Sequence, residues 1–178
     1  MKSSQADSSG QQELAPSEWV VRFGVRIPPF GRVLDVACGV GRHARWFAER
    51  GYRVDAVDRE RSPEPFPQIT FKRMDIETDE WPYAGQRFDA VIVTNYLYRP
   101  LIKTLVDSVA PHGWLIYETF AAGNGQFGKP SRPDFLLRPG ELLEAVHGRL
   151  RVVAYEDGYV EAPRPAMVQR IAARFEPD

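Results

Sequence analysis

The chain has 178 residues, which suits one domain with one substantial core better than two. Lys and Arg number 23 against 24 Asp and Glu, so the net charge of −1 leaves no global field to draw the chain to nucleic acid or an anionic membrane. Cys38 is the single cysteine, which excludes an internal disulfide, and no apolar run approaches the roughly 18 residues that a membrane span needs. The N-terminal run MKSSQADSSGQQELAPS has no apolar core of a secretion signal, so a cytoplasmic protein is expected.

Residues 1–15 are Ser/Gln-rich and short of apolar anchors, and read as a disordered tail ahead of a single domain over 16–178. Ser17 is placed to cap a short helix from residue 18 to about 26, carrying Trp19, Val20 and Phe23 until Pro28 and Pro29 stop it. Residues 31–38 read as a mostly apolar strand that runs into a glycine turn. From Gly41 the period changes: Ala44, Phe47 and Ala48 share a helical face, and Gly51 suits the C-terminal cap. Residues 53–58 form a second strand. Strand, glycine turn, helix and strand make a βαβ unit, which predicts a parallel sheet.

Pro63, Pro65 and Pro67 exclude a regular helix from the next connection, and residues 69–75 read as a third strand. The connection over 76–87 is also poor in helix signals, before an apolar fourth strand over 88–95. Pro100 starts a helix with Leu101, Leu105, Val106 and Val109 inward, ended by Pro111 and Gly113, and residues 114–120 are a fifth strand. A long glycine- and proline-rich loop, 121–138, leads to a helix after Pro139 with Leu142, Leu143 and Val146 buried. Residues 150–155 and 167–175 complete seven strands and four helices.

The densest chemical signal is DVACGVG, from Asp35 to Gly41, where the first strand hands over to the first helix of the βαβ unit. Gly39 and Gly41 lack the Cβ that would keep a ligand from the backbone, and the helix start offers free N–H groups to a carboxylate or phosphate. Asp58 ends the second strand, where an acidic side chain can accept both ribose hydroxyl protons. Together these residues indicate an adenosine ligand, and two compete. Gly39, Gly41 and Ala44 satisfy the NAD fingerprint G-x-G-x-x-A. Asp35 favours the alternative, because a carboxylate ahead of the turn can hold an amino group, whereas a pyrophosphate gains nothing from an anion there. An NAD enzyme also needs a substrate domain or a Tyr-x-x-x-Lys pair, and the chain has neither.

The run VLDVACGVGRHARWFAERGYRVDAVDRE resembles class I S-adenosylmethionine-dependent methyltransferases, with Ala37 in the first glycine position of acidic-x-Gly-x-Gly-x-Gly. The likeness is strongest to the small tellurite-resistance type and its unassigned bacterial relatives. It extends through TNYLYRP and YETFAAGNGQFGKPSRPDFLLRPGELLEAV. The resemblance implies a Rossmann-like α/β three-layer sandwich with a seven-stranded, mostly parallel sheet in order 3-2-1-4-5-7-6 and the last strand antiparallel. The helix between strands two and three is missing or reduced here. It implies S-adenosyl-L-methionine as cofactor and S-adenosyl-L-homocysteine as product. Asp35, Ala37, Gly39 and Gly41 would line the methionine end, Asp58 the ribose, and Asp75 and Ile76 the adenine, with Arg59, Asn95 and Tyr96 as further cofactor-binding candidates; Arg42 either contacts the cofactor carboxylate or is an exposed helix arginine.

Candidates for the acceptor pocket are Tyr96, Tyr98, Glu118 and Arg138, with Glu118 either orienting an acceptor or pairing with Arg138. His43 is a structural histidine or a base, and Cys38 a small turn residue with no metal site expected around it. Methyl transfer from a sulfonium is an in-line displacement, in which alignment in a dry pocket can supply about 7–11 kcal/mol without a catalytic base. Loop 121–138 is the candidate acceptor lid. The expected partner is a small-molecule acceptor, with no nucleic acid or membrane, for a monomer or for a homodimer through the thinly covered strands two and three. A non-catalytic S-adenosylmethionine-binding module and an NAD-dependent oxidoreductase are the alternatives.

Overall fold

The computed structural model describes residues 15–177, so all but the last residue of the expected disordered tail lies outside the described residues. Helix α1 (Glu18–Gly24) is capped by Ser17, whose hydroxyl accepts from the Trp19 amide at 3.2 Å. Strand β1 (Arg32–Val36), helix α2 (Arg42–Ala48) and strand β2 (Arg53–Asp58) form the βαβ unit. Strands β3 (Ile69–Arg73) and β4 (Phe88–Thr94), helix α3 (Arg99–Asp107) and strand β5 (Val109–Phe120) follow. Helix α4 (Glu141–Val146) and strands β6 (Arg151–Val160) and β7 (Ala166–Arg174) end the chain.

The seven strands lie in the order 3-2-1-4-5-7-6. Strands β1 to β5 pair in parallel, and β7 runs antiparallel to both β5 and β6. Alternation along each strand sorts the core into two layers. Val33, Val54, Ala56, Ile92 and Ile116 face α1 and α2, whereas Leu34, Val36, Val57, Val93 and Leu115 face α3 and α4.

Both connections around β3 lack helices, and apolar side chains take their place. After β2, buried Pro63 sits on the glycine turn, and Phe66 packs against the α2 layer under the Arg45 guanidinium, 4.3 Å from its ring centre. After β3, Tyr83 is buried and meets Phe88 edge-on at 5.5 Å, with Trp81 edge-on to Tyr83 at 5.4 Å. Lys72 closes this plug, its ammonium 4.5 Å from the Tyr83 ring and donating to the Pro82 carbonyl at 3.1 Å. The sheet beside β2 is therefore better covered than missing helices suggest, while the edge strand β3 is nowhere fully buried.

Two sequence expectations give way. Val109 does not end α3 but begins β5, because its pairing with Phe88 buries it; a bulge over the next residues then brings Trp114 opposite Ala90. Leu143 is 37% exposed instead of buried, because α4 spans barely two turns and its apolar stripe is filled by Leu142 and Val146, four residues apart. Among the described residues no helix is long and apolar enough to cross a membrane.

One ion pair joins the two later sequence motifs. Arg99, from TNYLYRP, donates to both carboxylate oxygens of Glu141, from LLRPGELL, at 2.7 and 3.0 Å. Its guanidinium also donates to the Asp134 and Leu136 carbonyls, and the Arg138 amide donates to Glu141 at 2.8 Å. Burial raises the Glu141 pKa, but the Arg99 hydrogen bond and the Arg138 amide outweigh it and hold the carboxyl below its ordinary value. Removing one partner of such a pair strands the other. Arg99→Met is expected to lower the unfolding free energy by about 3 kcal/mol in urea titration, with Arg99→Lys recovering only part of it.

Candidate functional site

The carboxyl ends of the parallel strands converge on the turn after β1. Ala37, Gly39 and Gly41 all lie in the left-handed region, with φ of 52°, 57° and 79°. The two glycines serve different ends. A Cβ on Gly41 would lie 2.4 Å from the Cβ of Pro63, so this glycine is required by the protein's own packing. A Cβ on Gly39 would meet nothing within 4 Å, so that backbone faces open space. Ala37 holds the same conformation with a side chain, at a local cost of about 1 kcal/mol.

Asp58 braces this turn from β2. One carboxylate oxygen accepts the Gly39 amide at 3.0 Å, and the other accepts the amides of Glu60 and Arg61 at 2.8 and 2.9 Å. Arg59, exposed next to it, reaches Asp75 across the ends of β2 and β3 at 3.6 Å. Asp75 caps its own turn by accepting from the Glu77 amide, and Ile76 is buried behind it. The ribose and adenine candidates of the sequence thus lie side by side.

Asp35 lies beneath the turn and is 1% exposed. Its carboxylate accepts one hydrogen bond, from the Ala44 amide at 2.9 Å. Burial pushes its pKa up to about 7; the Ala44 amide and the Arg42 charge pull it down, and the like charge of Asp58 adds to the rise. A buried carboxylate this poorly compensated favours a cation placed near it.

Arg42 and His43 occupy the first turn of α2, and neither turns toward the open glycine. Arg42 donates to the Ala15 carbonyl at 3.2 Å. His43 is 1% exposed, accepts from the Ser17 amide at 3.1 Å and lies 3.4 Å from the Thr94 hydroxyl. Burial, reinforced by Arg42, lowers its pKa to about 3, so the ring is neutral at physiological pH and unfit as a base. Cys38 is buried, and burial raises its thiol pKa, so it stays a protonated turn residue.

At the end of β4, Asn95 is exposed in the left-handed region at φ 54° and donates its amide to the Glu118 carbonyl. The Tyr96 hydroxyl is buried with no hydrogen-bond partner among the described residues. Burial and then the nearby Glu77 charge raise its pKa, so it remains a proton donor. Tyr98 donates to the Glu77 carbonyl at 3.2 Å, and Tyr117 to the Tyr96 carbonyl at 2.9 Å. Glu118 does not meet Arg138. It turns to the α1 side and pairs with Arg170 of β7 at 3.4 Å, while Arg138, largely exposed, pairs with Glu141 and Glu144 on α4. Sequence reasoning had no access to Arg170, since strand alternation fixes which face Glu118 joins, but only the β5–β7 register names its neighbour.

Loop 121–138 is closed at its base. The Leu137 amide donates to Phe120 and the Ala122 amide to Leu137, both at 2.9 Å. Buried Asn124 donates to the Pro130 carbonyl and accepts from the Met167 amide, and Phe127 stacks on Tyr159 of β6 at 5.2 Å. The loop is an Ω-shaped unit tethered to the β6–β7 hairpin.

Comparison with known proteins agrees with this geometry. The model of the methyltransferase domain family matches residues 9–150, most of the chain. YqeM of Bacillus subtilis (strain 168), named for a methyltransferase, is 27% identical over 122 residues, covering 59% of this chain and 49% of its own length. The fold matches TehB from Haemophilus influenzae with a TM-score of 0.71 at 18% identity, over 90% of this chain and 63% of that one. It also matches the N-methyltransferase NodS from Bradyrhizobium japonicum WM9 with a TM-score of 0.69 at 14% identity, over 98% and 100% of the two chains. A third match is the 1,6-didemethyltoxoflavin-N1-methyltransferase of Burkholderia thailandensis, solved with its substrate and S-adenosylhomocysteine, with a TM-score of 0.67 at 18% identity over 96% and 82%. The chain spans about half the length of YqeM and under two thirds of TehB. With the family model matching most of its length, on a sheet of this order and a glycine turn of this shape, the chain belongs to the methyltransferase domain family, which uses S-adenosylmethionine.

Proposed function

We propose that this protein transfers a methyl group from S-adenosylmethionine to a small-molecule acceptor in the cytoplasm, by in-line displacement in a pocket at the carboxyl edge of β1 and β4. The open space over Gly39, whose amide Asp58 holds and beneath whose turn Asp35 is buried, carries the reading. Bound there, S-adenosylmethionine supplies a methyl carbon already activated by its sulfonium. The protein's residues bind and orient. Gly39 lets the ligand approach the backbone, Asp58 retains acceptor capacity for ribose hydroxyls, and Asp75 with Ile76 walls the adenine. Asp35 offers its charge to the amino group through the turn.

On the acceptor side, Asn95 and Tyr96 lie at the end of β4, with the buried Tyr96 hydroxyl beside the Glu77 carboxylate. Both ring nitrogens of buried His43 are engaged within the protein and burial keeps Tyr96 protonated, so the reading assigns the rate to alignment. A small acceptor is also what the toxoflavin enzyme's bound substrate suggests.

The two glycines separate binding from folding. Gly39→Ala is expected to cost only about 1 kcal/mol of stability, yet to abolish S-adenosylhomocysteine binding in calorimetry. Gly41→Ala should cost about 2–4 kcal/mol, with Pro63→Gly restoring part of it. If Gly39→Ala bound the ligand as the parent does, the open turn would not be the cofactor site.

Asp35 adds a pH dependence whose sign is fixed. A folded pKa near 7 against an unfolded value of 3.8 means the folded state holds the proton more tightly. This contribution to stability is full at low pH and falls as pH rises from about 4 to 7. Asp35→Asn, which mimics the protonated form, should therefore melt above the parent at pH 8 and near it at pH 4. It should also weaken S-adenosylhomocysteine binding at pH 8 by at least tenfold. A melting temperature that drops at pH 8 would contradict this account.

Thermal shift with S-adenosylmethionine, S-adenosylhomocysteine and NAD tests the cofactor directly, since a ligand at 100 times its Kd adds about 2.7 kcal/mol. Stabilisation by NAD alone would make the chain an oxidoreductase. Turnover over a panel of thiols, oxyanions, phenols and amines then separates an enzyme from a binding module.

A further inference from the structure

Strand register draws one row of charged side chains across the β5, β7 and β6 part of the sheet. Glu118 of β5 lies opposite Arg170 of β7, and Arg170 opposite Glu156 of β6. Alternation puts all three on the face that α1 covers, where Arg170 pairs with Glu118 at 3.4 Å and with Glu156 at 3.7 Å. Helix α1 meets this row from above: the Arg170 guanidinium lies 5.8 Å from the Trp19 ring centre, and Arg22 is 4.0 Å from Glu156. Two residues further along the strands the same face carries the cluster of Phe120, Leu136 and Ala166, with Val160 and Val168 against it and no residue from any α-helix.

A groove of about 330 Å³ opens on this stretch, with Gly158 and Val168 paired across its floor and Glu156 and Val160 to either side. Gly158 keeps it open. A Cβ there would meet nothing within 4 Å, and the residue is not in the left-handed region. Neither packing nor backbone conformation therefore requires glycine at 158, and a glycine inside a strand weakens the strand. What its bare backbone does allow is close approach by a flat molecule, between two half-buried valines.

The charges around the groove are unequal. Arg164, in the turn between β6 and β7, lies 5.4 Å from the Phe120 ring centre and makes no ion pair among the described residues. Glu156 is engaged by Arg22 and Arg170, and Glu118 by Arg170. Asp157 belongs to the opposite face, where its carboxylate accepts from the Tyr155 hydroxyl and the Gln169 amide group. The arginine left over is the one at the rim.

We propose that this groove is a binding site for a small flat aromatic anion such as an aryl carboxylate, with its ring on Gly158 between Val160 and Val168 and its charge on Arg164. A volume of this size suits a small molecule, and a guanidinium matches a carboxylate in shape and charge. In the order β1-β4-β5-β7-β6, four strand spacings separate β6 from β1, about 19 Å of sheet. A ligand that fills the groove does not reach the Gly39 turn, so the site stands apart from the cofactor reading.

Titration of the full chain with 2-naphthoate, followed by amide NMR and calorimetry, tests the site. Binding should saturate, with the largest shifts at Gly158, Val160 and Val168 and none at Gly39. Gly158→Val suits a strand and fills the open space, and should weaken 2-naphthoate by about tenfold or more. The parent should prefer 2-naphthoate to the neutral 2-naphthylmethanol by about threefold, the gain expected of one partly exposed charge contact. Arg164→Gln should abolish that preference and leave the affinity for the alcohol unchanged. Shifts that do not saturate, shifts centred on Asn95 and Tyr96, or parental affinity in folded Gly158→Val would each overturn the proposal. Shifts at Gly158 that follow protein concentration instead of 2-naphthoate overturn it too, since a second copy of the chain would then fill the groove. A parent that binds 2-naphthoate here but no S-adenosylhomocysteine would remove the cofactor reading and leave this site standing.

Discussion

The Asp35 carboxylate, enclosed beneath the turn after β1 with a single amide to hold it, is the constraint around which the site is arranged. Burying a carboxylate is unfavourable unless its charge is compensated, and here compensation from the chain is deliberately thin: one N–H, and an arginine engaged elsewhere. The turn above cannot move off it. Three left-handed residues shape that turn, Pro63 fills the place of a Gly41 side chain, and Asp58 ties the Gly39 amide to β2. The free protein therefore holds a buried, thinly compensated carboxylate beneath a fixed turn, in keeping with the loss of stability common at functional sites.

The missing helices bear on the same region. In their place the connections around β3 use compact side-chain plugs, Pro63 and Phe66 on one face and Trp81 with Tyr83 on the other. The first plug does two jobs at once, covering the sheet and pressing on the glycine turn. Beyond β4, Arg99 and Glu141 stitch the end of that strand to the base of the long loop, so the loop is presented as a closed unit and not as a slack connection.

Much of this was readable beforehand where the chemistry is local. The strand, glycine turn and helix over 31–48 follow from a change of period at Gly41, and Asp58 follows from its place at a strand end. Seven strands and four helices were countable, because each is bounded by proline or glycine. Two of the three departures depend on distant partners and one on the length of a helix. Val109 became strand through Phe88, Leu143 stayed outside because α4 is short, and Glu118 met Arg170 and not Arg138. No local signal marks Pro63 as the neighbour of Gly41, or pairs Arg99 with Glu141 across 42 residues.

By itself the sequence determined the parallel βαβ start, the glycine turn, and the acidic residues around it, because backbone conformation and strand ends are set by residues adjacent in the chain. Only the tertiary structure decided which glycine faces open space and which faces proline, that His43 is enclosed between Ser17 and Thr94, and that Arg42 grips the chain ahead of α1. Those distinctions rest on contacts between residues 22 to 51 positions apart, which exist only once the chain has folded around the middle of the sheet.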